Sequence, residues 1–206
     1  MSHHDGTGQT RENAIDLVTE AEAPPEVVEV YREIQASREG ELDEDLSLGN
    51  MWLMYGNDAD LLEMVWNHMN WTYNGGSLPY ELKSEISLVV ATVMGCPGCQ
   101  FFHESALERA GVDAETIESI EELDIAETGF SPSEELILRF AQKATEDPHG
   151  ITDADLAALR DVGLTERELL EVVDCIALHV YTAYMQGIAG IVYPGMSREE
   201  WTQPAD

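Results

Sequence analysis

Along most of this chain apolar residues recur three and four positions apart, and the polar residues between them gather into turns. Pro24-Pro25 opens a stretch in which Val27, Val28, Val30, Tyr31 and Ile34 form one stripe, the pattern of an amphipathic helix with proline in its first turn. After an acidic loop containing Gly40, the residues from Leu46 to Tyr55 read as a second helical stretch. Asp58 to Tyr73 read as a third, capped by Asp58 and carrying Leu61, Leu62, Met64, Val65, Trp66, Met69 and Trp71. Trp52, Trp66 and Trp71 are expected to be core bulk. His68 is read as a packed or surface histidine. Asn74-Gly75-Gly76-Ser77 is a turn, and Pro79 starts a helix that is apolar nearly all round from Ile86 to Met94, which implies burial on most sides. The next helix runs from Pro97 to about Ala110 and stops at Gly111. Asp113 caps a short acidic helix reaching about Leu123. Ser131-Pro132-Ser133-Glu134 is a start signal for a helix from Glu134 to Ala144. Asp147-Pro148-His149-Gly150 is a loop with a solvated histidine. Thr152-Asp153 caps a helix ending at Gly163, and Thr165-Glu166-Arg167-Glu168 opens a last long helix to about Val192. No stretch alternates well enough for a strand, so the pattern predicts an all-α protein.

The length of 206 residues suits one domain with a core, or a domain plus a tail. Residues 1–22 are polar, acidic and unpatterned and are expected to be a flexible N-terminal arm; residues 23–206 are expected to form a single helical domain. Charge changes the picture more than length does. Against 41 acids stand 10 bases, a formal net charge of −31, and the lysines are Lys83 and Lys143 alone. A surface this anionic repels nucleic acid and anionic lipid, so neither is expected as a partner. Such acid-rich, lysine-poor composition resembles that of proteins from a high-salt cytoplasm; a cation-binding acidic protein is the alternative. Met1 to Thr19 has neither a basic segment nor an apolar core of the kind a secretory signal needs. The apolar run from Cys175 to Tyr193 carries His179, Thr182 and Gln186, which suits a buried helix better than a membrane span. The expected location is cytoplasmic.

The candidate chemistry lies in Gly95-Cys96-Pro97-Gly98-Cys99-Gln100-Phe101-Phe102-His103. Gly95 can take the positive φ that closes one helix, and Pro97 fits the first position of the next. At about 100° per residue, Cys96, Cys99 and His103 fall within an arc of roughly 60°. A thiolate near a helix N-terminus is favoured by unpaired N–H groups and the positive end of the dipole. His103, one turn beyond Cys99, can accept a thiol proton or return it to a leaving group. A second thiol can attack a sulfenic acid on the first and close a disulfide before further oxidation. That set serves a peroxidase or a dithiol–disulfide oxidoreductase. Phe101, on the outer charged face, points to a subunit interface. The odd total of three cysteines carries no secreted disulfide framework.

These residues resemble the alkylhydroperoxidase D-like, or carboxymuconolactone decarboxylase-like, superfamily, in its CxxC-containing, peroxidase-related branch. The likeness is carried by Leu82-Lys83, the apolar run ending in Gly95-Cys96, the C-x-x-C-x-x-x-H of Cys96, Cys99 and His103, then Ala106-Leu107 and Ala110-Gly111-Val112. It continues in the phrase from Leu156 to Thr165 and in the small-residue-rich helix after it. The resemblance implies a helical bundle that forms a homo-oligomer and works as a thiol-dependent hydroperoxide reductase. It implies that Cys99 attacks the peroxide, that Cys96 donates a proton and then resolves the sulfenic acid, and that His103 belongs to a proton relay. The reductant would be a dithiol protein, lipoyl or thioredoxin-like, with no bound cofactor. The superfamily's relay also uses a glutamate twelve residues before the first cysteine, and that position is Ser84 here. Glu85 is adjacent and could serve only if the helix were locally over- or under-wound. Members that are decarboxylases lack the cysteine pair.

Other readings of the same residues remain. Two buried small hydrophobes is the plainest. Zinc is a second: Cys96, Cys99 and His103 could be joined by Cys175 or His179 in a non-catalytic module. A redox sensor whose disulfide changes oligomer size or partner binding is a third. Cys175 and His179 by themselves read as core filler, although His179 could replace the missing relay group if its helix approaches the CxxC helix.

Overall fold

The computed structural model describes residues 14–37, 48–125 and 129–191. Most of the expected N-terminal arm, the loop around Gly40, residues 46–47 and the chain beyond Ile191 lie outside that set. The described residues hold helices α1 (Pro25–Ser37), α2 (Asn50–Tyr55), α3 (Ala59–Asn74), α4 (Tyr80–Val93), α5 (Pro97–Ala110), α6 (Ala114–Glu121), α7 (Pro132–Glu146), α8 (Asp153–Asp161) and α9 (Glu166–Ala189). A single 3₁₀ turn, Pro148–Gly150, joins α7 to α8. Among the described residues there is no strand, and no helix is long and apolar enough to cross a membrane.

The helix starts follow local chemistry. Asp58 Oδ1 accepts from the Leu61 N–H at 2.9 Å, and Asp113 accepts from the Thr116 N–H. Ser131 with Glu134, and Thr152 with Asp155, form reciprocal capping boxes at α7 and α8. Thr165 and Glu168 exchange the same pair of bonds at the start of α9. α7 begins two residues before the expected Glu134, because Pro132 occupies a first-turn position where its missing N–H costs nothing.

The described residues divide into two compact units, one drawn from residues 1–69 and 185–206 and the other from residues 70–184. In the first, Val27, Tyr31 and Ile34 of α1 are buried, as are Trp52 and Tyr55 of α2 and Leu62, Val65 and Trp66 of α3. Trp52 and Trp66 meet edge to face with ring centroids 5.9 Å apart. The Tyr31 hydroxyl donates to the Val18 carbonyl at 2.9 Å, the Val18 N–H donates to the Leu53 carbonyl, and the Ala14 N–H to the Ala189 carbonyl.

The second unit is built on α4, which packs against α5, α6 and α7. From Leu82 to Ala91 every residue of α4 is buried. The apolar pattern predicts this from Ile86 onward, while Thr92, Val93 and Met94 are only partly buried and the polar Lys83, Ser84 and Glu85 are buried as well. Ile86, Leu88, Val89 and Val90 join Leu107, Ile120, Leu138, Leu159 and Val172 in one continuous core.

Candidate active site

The cysteine pair sits at the junction of α4 and α5. Gly95 turns the chain at φ +59°, a region glycine enters without a Cβ penalty. The Gly95 and Cys96 N–H groups donate to the Thr92 and Ala91 carbonyls at 3.0 and 2.9 Å, so carbonyls at the end of α4 are satisfied before α5 begins. Cys96 is the N-cap of α5 and Pro97 lies in its first turn. The Gln100 side chain donates to Thr92 Oγ1 at 3.3 Å and ties the two helix ends together. Cys96 and Cys99 are joined as a disulfide with Cα atoms 5.3 Å apart. Both are buried, and so is His103 one turn further on.

Three other helices bring polar side chains to His103. Its ring centroid lies 4.8 Å from that of His179 on α9 and 6.3 Å from that of Tyr73 at the end of α3. The Tyr73 hydroxyl oxygen is 2.7 Å from His179 Nε2, 3.0 Å from Ser87 Oγ on α4 and 3.4 Å from His103 Nδ1. His179 Nδ1 lies 2.7 Å from the Cys175 carbonyl oxygen and 3.2 Å from Ser87 Oγ. The Ser87 hydroxyl is 2.6 Å from the Lys83 carbonyl, to which it can donate. Burial above all pushes the free Cys175 thiol up to about 12, so it stays protonated near neutrality and is a poor nucleophile.

Tyr73 is held by what surrounds the turn after it. Thr72 Oγ1 donates to Asp174 of α9 at 2.9 Å. The Lys83 ammonium, fully buried, donates to the Gly75 carbonyl at 2.6 Å. Gly76 takes φ +75°, and the N–H groups of Ser77 and Leu78 then donate to the Glu171 carboxylate at 2.8 and 3.0 Å. Burial pushes that carboxyl up, but these N–H bonds and one from the Ser77 hydroxyl outweigh it and hold Glu171 below the usual carboxylate range.

Glu85 is buried on α4, one residue after Ser84. Its charged neighbours are Glu134 and Glu81; burial first, and then those two charges, raise it to about 7. Ser84 is fully buried, and its hydroxyl has no hydrogen-bond partner among the described residues.

Cys99 and His103 lie one turn apart within α5, while Cys96 is its N-cap at φ −104° and ψ 89°, outside the helical phase the sequence suggests. Cys175 and His179 are buried as expected, but His179 is more than filler, because it reaches Tyr73 and His103. Tyr73 and Ser87 carry no sequence signal, since each reads as one more residue of a packed helix. Trp71 corrects an expectation: it is 46% exposed, whereas Trp52 and Trp66 are buried. The buried stripe of α3 runs through Leu62, Val65, Trp66 and Met69, and two residues beyond Met69 the helix has turned by about 200°. His68 and His149 are exposed. Among the described residues no group of three or more His, Cys, Asp or Glu side chains is placed to hold a metal ion.

Residues 59–143 match the Carboxymuconolactone decarboxylase family. Three solved structures share the fold. The uncharacterized peroxidase-related protein from Silicibacter sp. TM1040 superposes with TM-score 0.76 at 20% identity, over 98% of this chain and 100% of that one. An uncharacterized peroxidase-related protein from Ralstonia eutropha JMP134, described as an alkylhydroperoxidase AhpD core, gives 0.77 at 15% identity over 95% and 98%. The debrominase Bmp8 in complex with 2,3,4-tribromopyrrole gives 0.74 at 17% identity over 90% and 94%. No curated protein matches the chain. The family match covers less than half of the chain, and the likeness to the three solved structures is one of fold.

Proposed function

We propose that this protein is a thiol-dependent hydroperoxide reductase. The observation that carries the reading is the buried Cys96–Cys99 pair at the start of α5 with His103 one turn away, a dithiol beside a proton carrier. In the reduced state the Cys99 thiolate attacks the distal oxygen of a hydroperoxide. The O–O bond breaks, the alkoxide takes a proton and leaves as the alcohol, and Cys99 becomes a sulfenic acid. The Cys96 thiolate displaces hydroxide from that sulfur; with a proton the hydroxide leaves as water and the disulfide closes. A dithiol protein, lipoyl or thioredoxin-like, then returns the pair to thiols by exchange. His103 takes the thiol proton and delivers it to the leaving group.

Thiol titration of the reduced protein before and after one equivalent of cumene hydroperoxide tests the reading. The Cys96 and Cys99 thiols are expected to vanish and to return with dihydrolipoamide, while Cys99→Ser consumes no peroxide. Unchanged turnover in Cys99→Ser would falsify it. A parallel arm with 2,3,4-tribromopyrrole asks whether the same dithiol reduces a carbon–bromine bond, the chemistry for which Bmp8 is named.

The working form in this reading is a homo-oligomer. Leu170, Val173, Ala177 and Tyr184 are exposed along one face of α9, apolar surface that self-association would cover.

A further inference from the structure

The hydrogen-bond pattern behind His103 has a direction, and a backbone carbonyl sets it. Such an oxygen only accepts. With the Cys175 carbonyl 2.7 Å from His179 Nδ1, that nitrogen carries the hydrogen. In the neutral ring Nε2 is then a bare acceptor, and the Tyr73 hydroxyl at 2.7 Å donates to it. Its one hydrogen committed, the Tyr73 oxygen can only accept from its other neighbours. One is the Ser87 hydroxyl at 3.0 Å, which can turn its hydrogen there from the Lys83 carbonyl. The other is His103 Nδ1 at 3.4 Å, a partner only if it carries a hydrogen. Neutral His103 is then left with a bare Nε2, the form that can take a proton from a thiol.

The geometry points to Tyr73 and His179 as positioning residues that hold His103 in the Nδ1–H tautomer and extend its proton path into the protein. When Cys99 gives its proton to His103 Nε2, the imidazolium formed can pass its Nδ1 proton to the Tyr73 oxygen as Tyr73 passes its own to His179 Nε2. One proton moves from His103 to His179, no electron moves, and the reverse hop supplies the alkoxide leaving group. The 3.4 Å step is the long one, and catalytic hydrogen bonds in resting enzymes commonly tighten only in the reacting complex.

The inference rests on the reading of Cys96, Cys99 and His103 as the redox site, but its test does not need peroxide. Long-range ¹H–¹⁵N correlation NMR on the reduced full-length protein, at a pH of about 8.5 to keep imidazoles neutral, reports the tautomer of each histidine. His103→Gln and His179→Gln identify the two signals. Both rings are expected to carry the hydrogen on Nδ1 in the unmodified protein. Tyr73→Phe should let the Nε2–H tautomer of His103 appear, and should lower peroxide turnover by roughly ten- to a hundredfold. A hydrogen on His179 Nε2 in the unmodified protein overturns the proposal, whether or not Tyr73→Phe folds. So does a His103 tautomer that Tyr73→Phe leaves unchanged. Failure of Cys99→Ser to abolish turnover would instead count against the peroxidase reading alone.

Discussion

Glu85 shows what one residue of offset does on a buried helix. Ser84 turns inward with no charge to desolvate, while Glu85 carries a carboxyl that burial, Glu134 and Glu81 raise from 4.5 to about 7. The folded protein therefore binds a proton at Glu85 between about pH 4.5 and 7, where the unfolded chain does not. Stability from this group is greatest below that window and falls as pH rises through it, by a few kcal/mol as an order of magnitude. Glu85→Gln removes the dependence. In urea unfolding at about pH 5 and pH 8, the unmodified protein should lose more stability between the two than Glu85→Gln loses. Equal losses would mean that Glu85 titrates normally. At this scale the sequence is most legible where chemistry is local: Cys96 caps the helix in which Cys99 and His103 lie one turn apart. Tyr73 is invisible because its partners are 14, 30 and 106 residues away.

The elements repeat that division. Capping boxes at Ser131 and Thr152 could be read directly, because a side chain three residues on supplies the reciprocal bond. The turn after α3 could be recognised from Asn74-Gly75-Gly76-Ser77, but not its purpose, which is to aim N–H groups at Glu171 of α9. Gly76 needs its positive φ for that, and a Cβ there would press on the Glu171 carboxylate. Gly76→Ala should cost about 1–2 kcal/mol for the backbone alone, and the clash with Glu171 adds to it. Differential scanning calorimetry is expected to show a melting temperature lower by several degrees. An unchanged melting temperature would mean that the turn relaxes freely and is no clamp on Tyr73.

Across the whole molecule, electrostatics oppose compaction. With 41 acids against 10 bases, the folded chain repels itself, and any oligomer gathers several such charges. The ion pairs Lys143–Asp155 and Arg160–Glu166 sit at the surface, where such contacts contribute little. Raising potassium chloride from about 0.05 M to about 1 M shortens the Debye length from roughly 14 Å to 3 Å. Both the melting temperature and the sedimenting mass should rise across that series, the second because the apolar face of α9 can then be covered. A melting temperature that falls with salt would show that specific ion pairs outweigh the net repulsion.

The sequence by itself determined the helices, most of their ends, the burial of α4 and the placing of two cysteines at the start of α5. All of these depend on neighbours within about one or two turns, where spacing alone decides contact. Only the tertiary structure decided that Trp71 faces solvent, and that His179, Tyr73 and Ser87 stand behind His103. Those outcomes depend on how α3, α4, α5 and α9 cross, which no local period encodes.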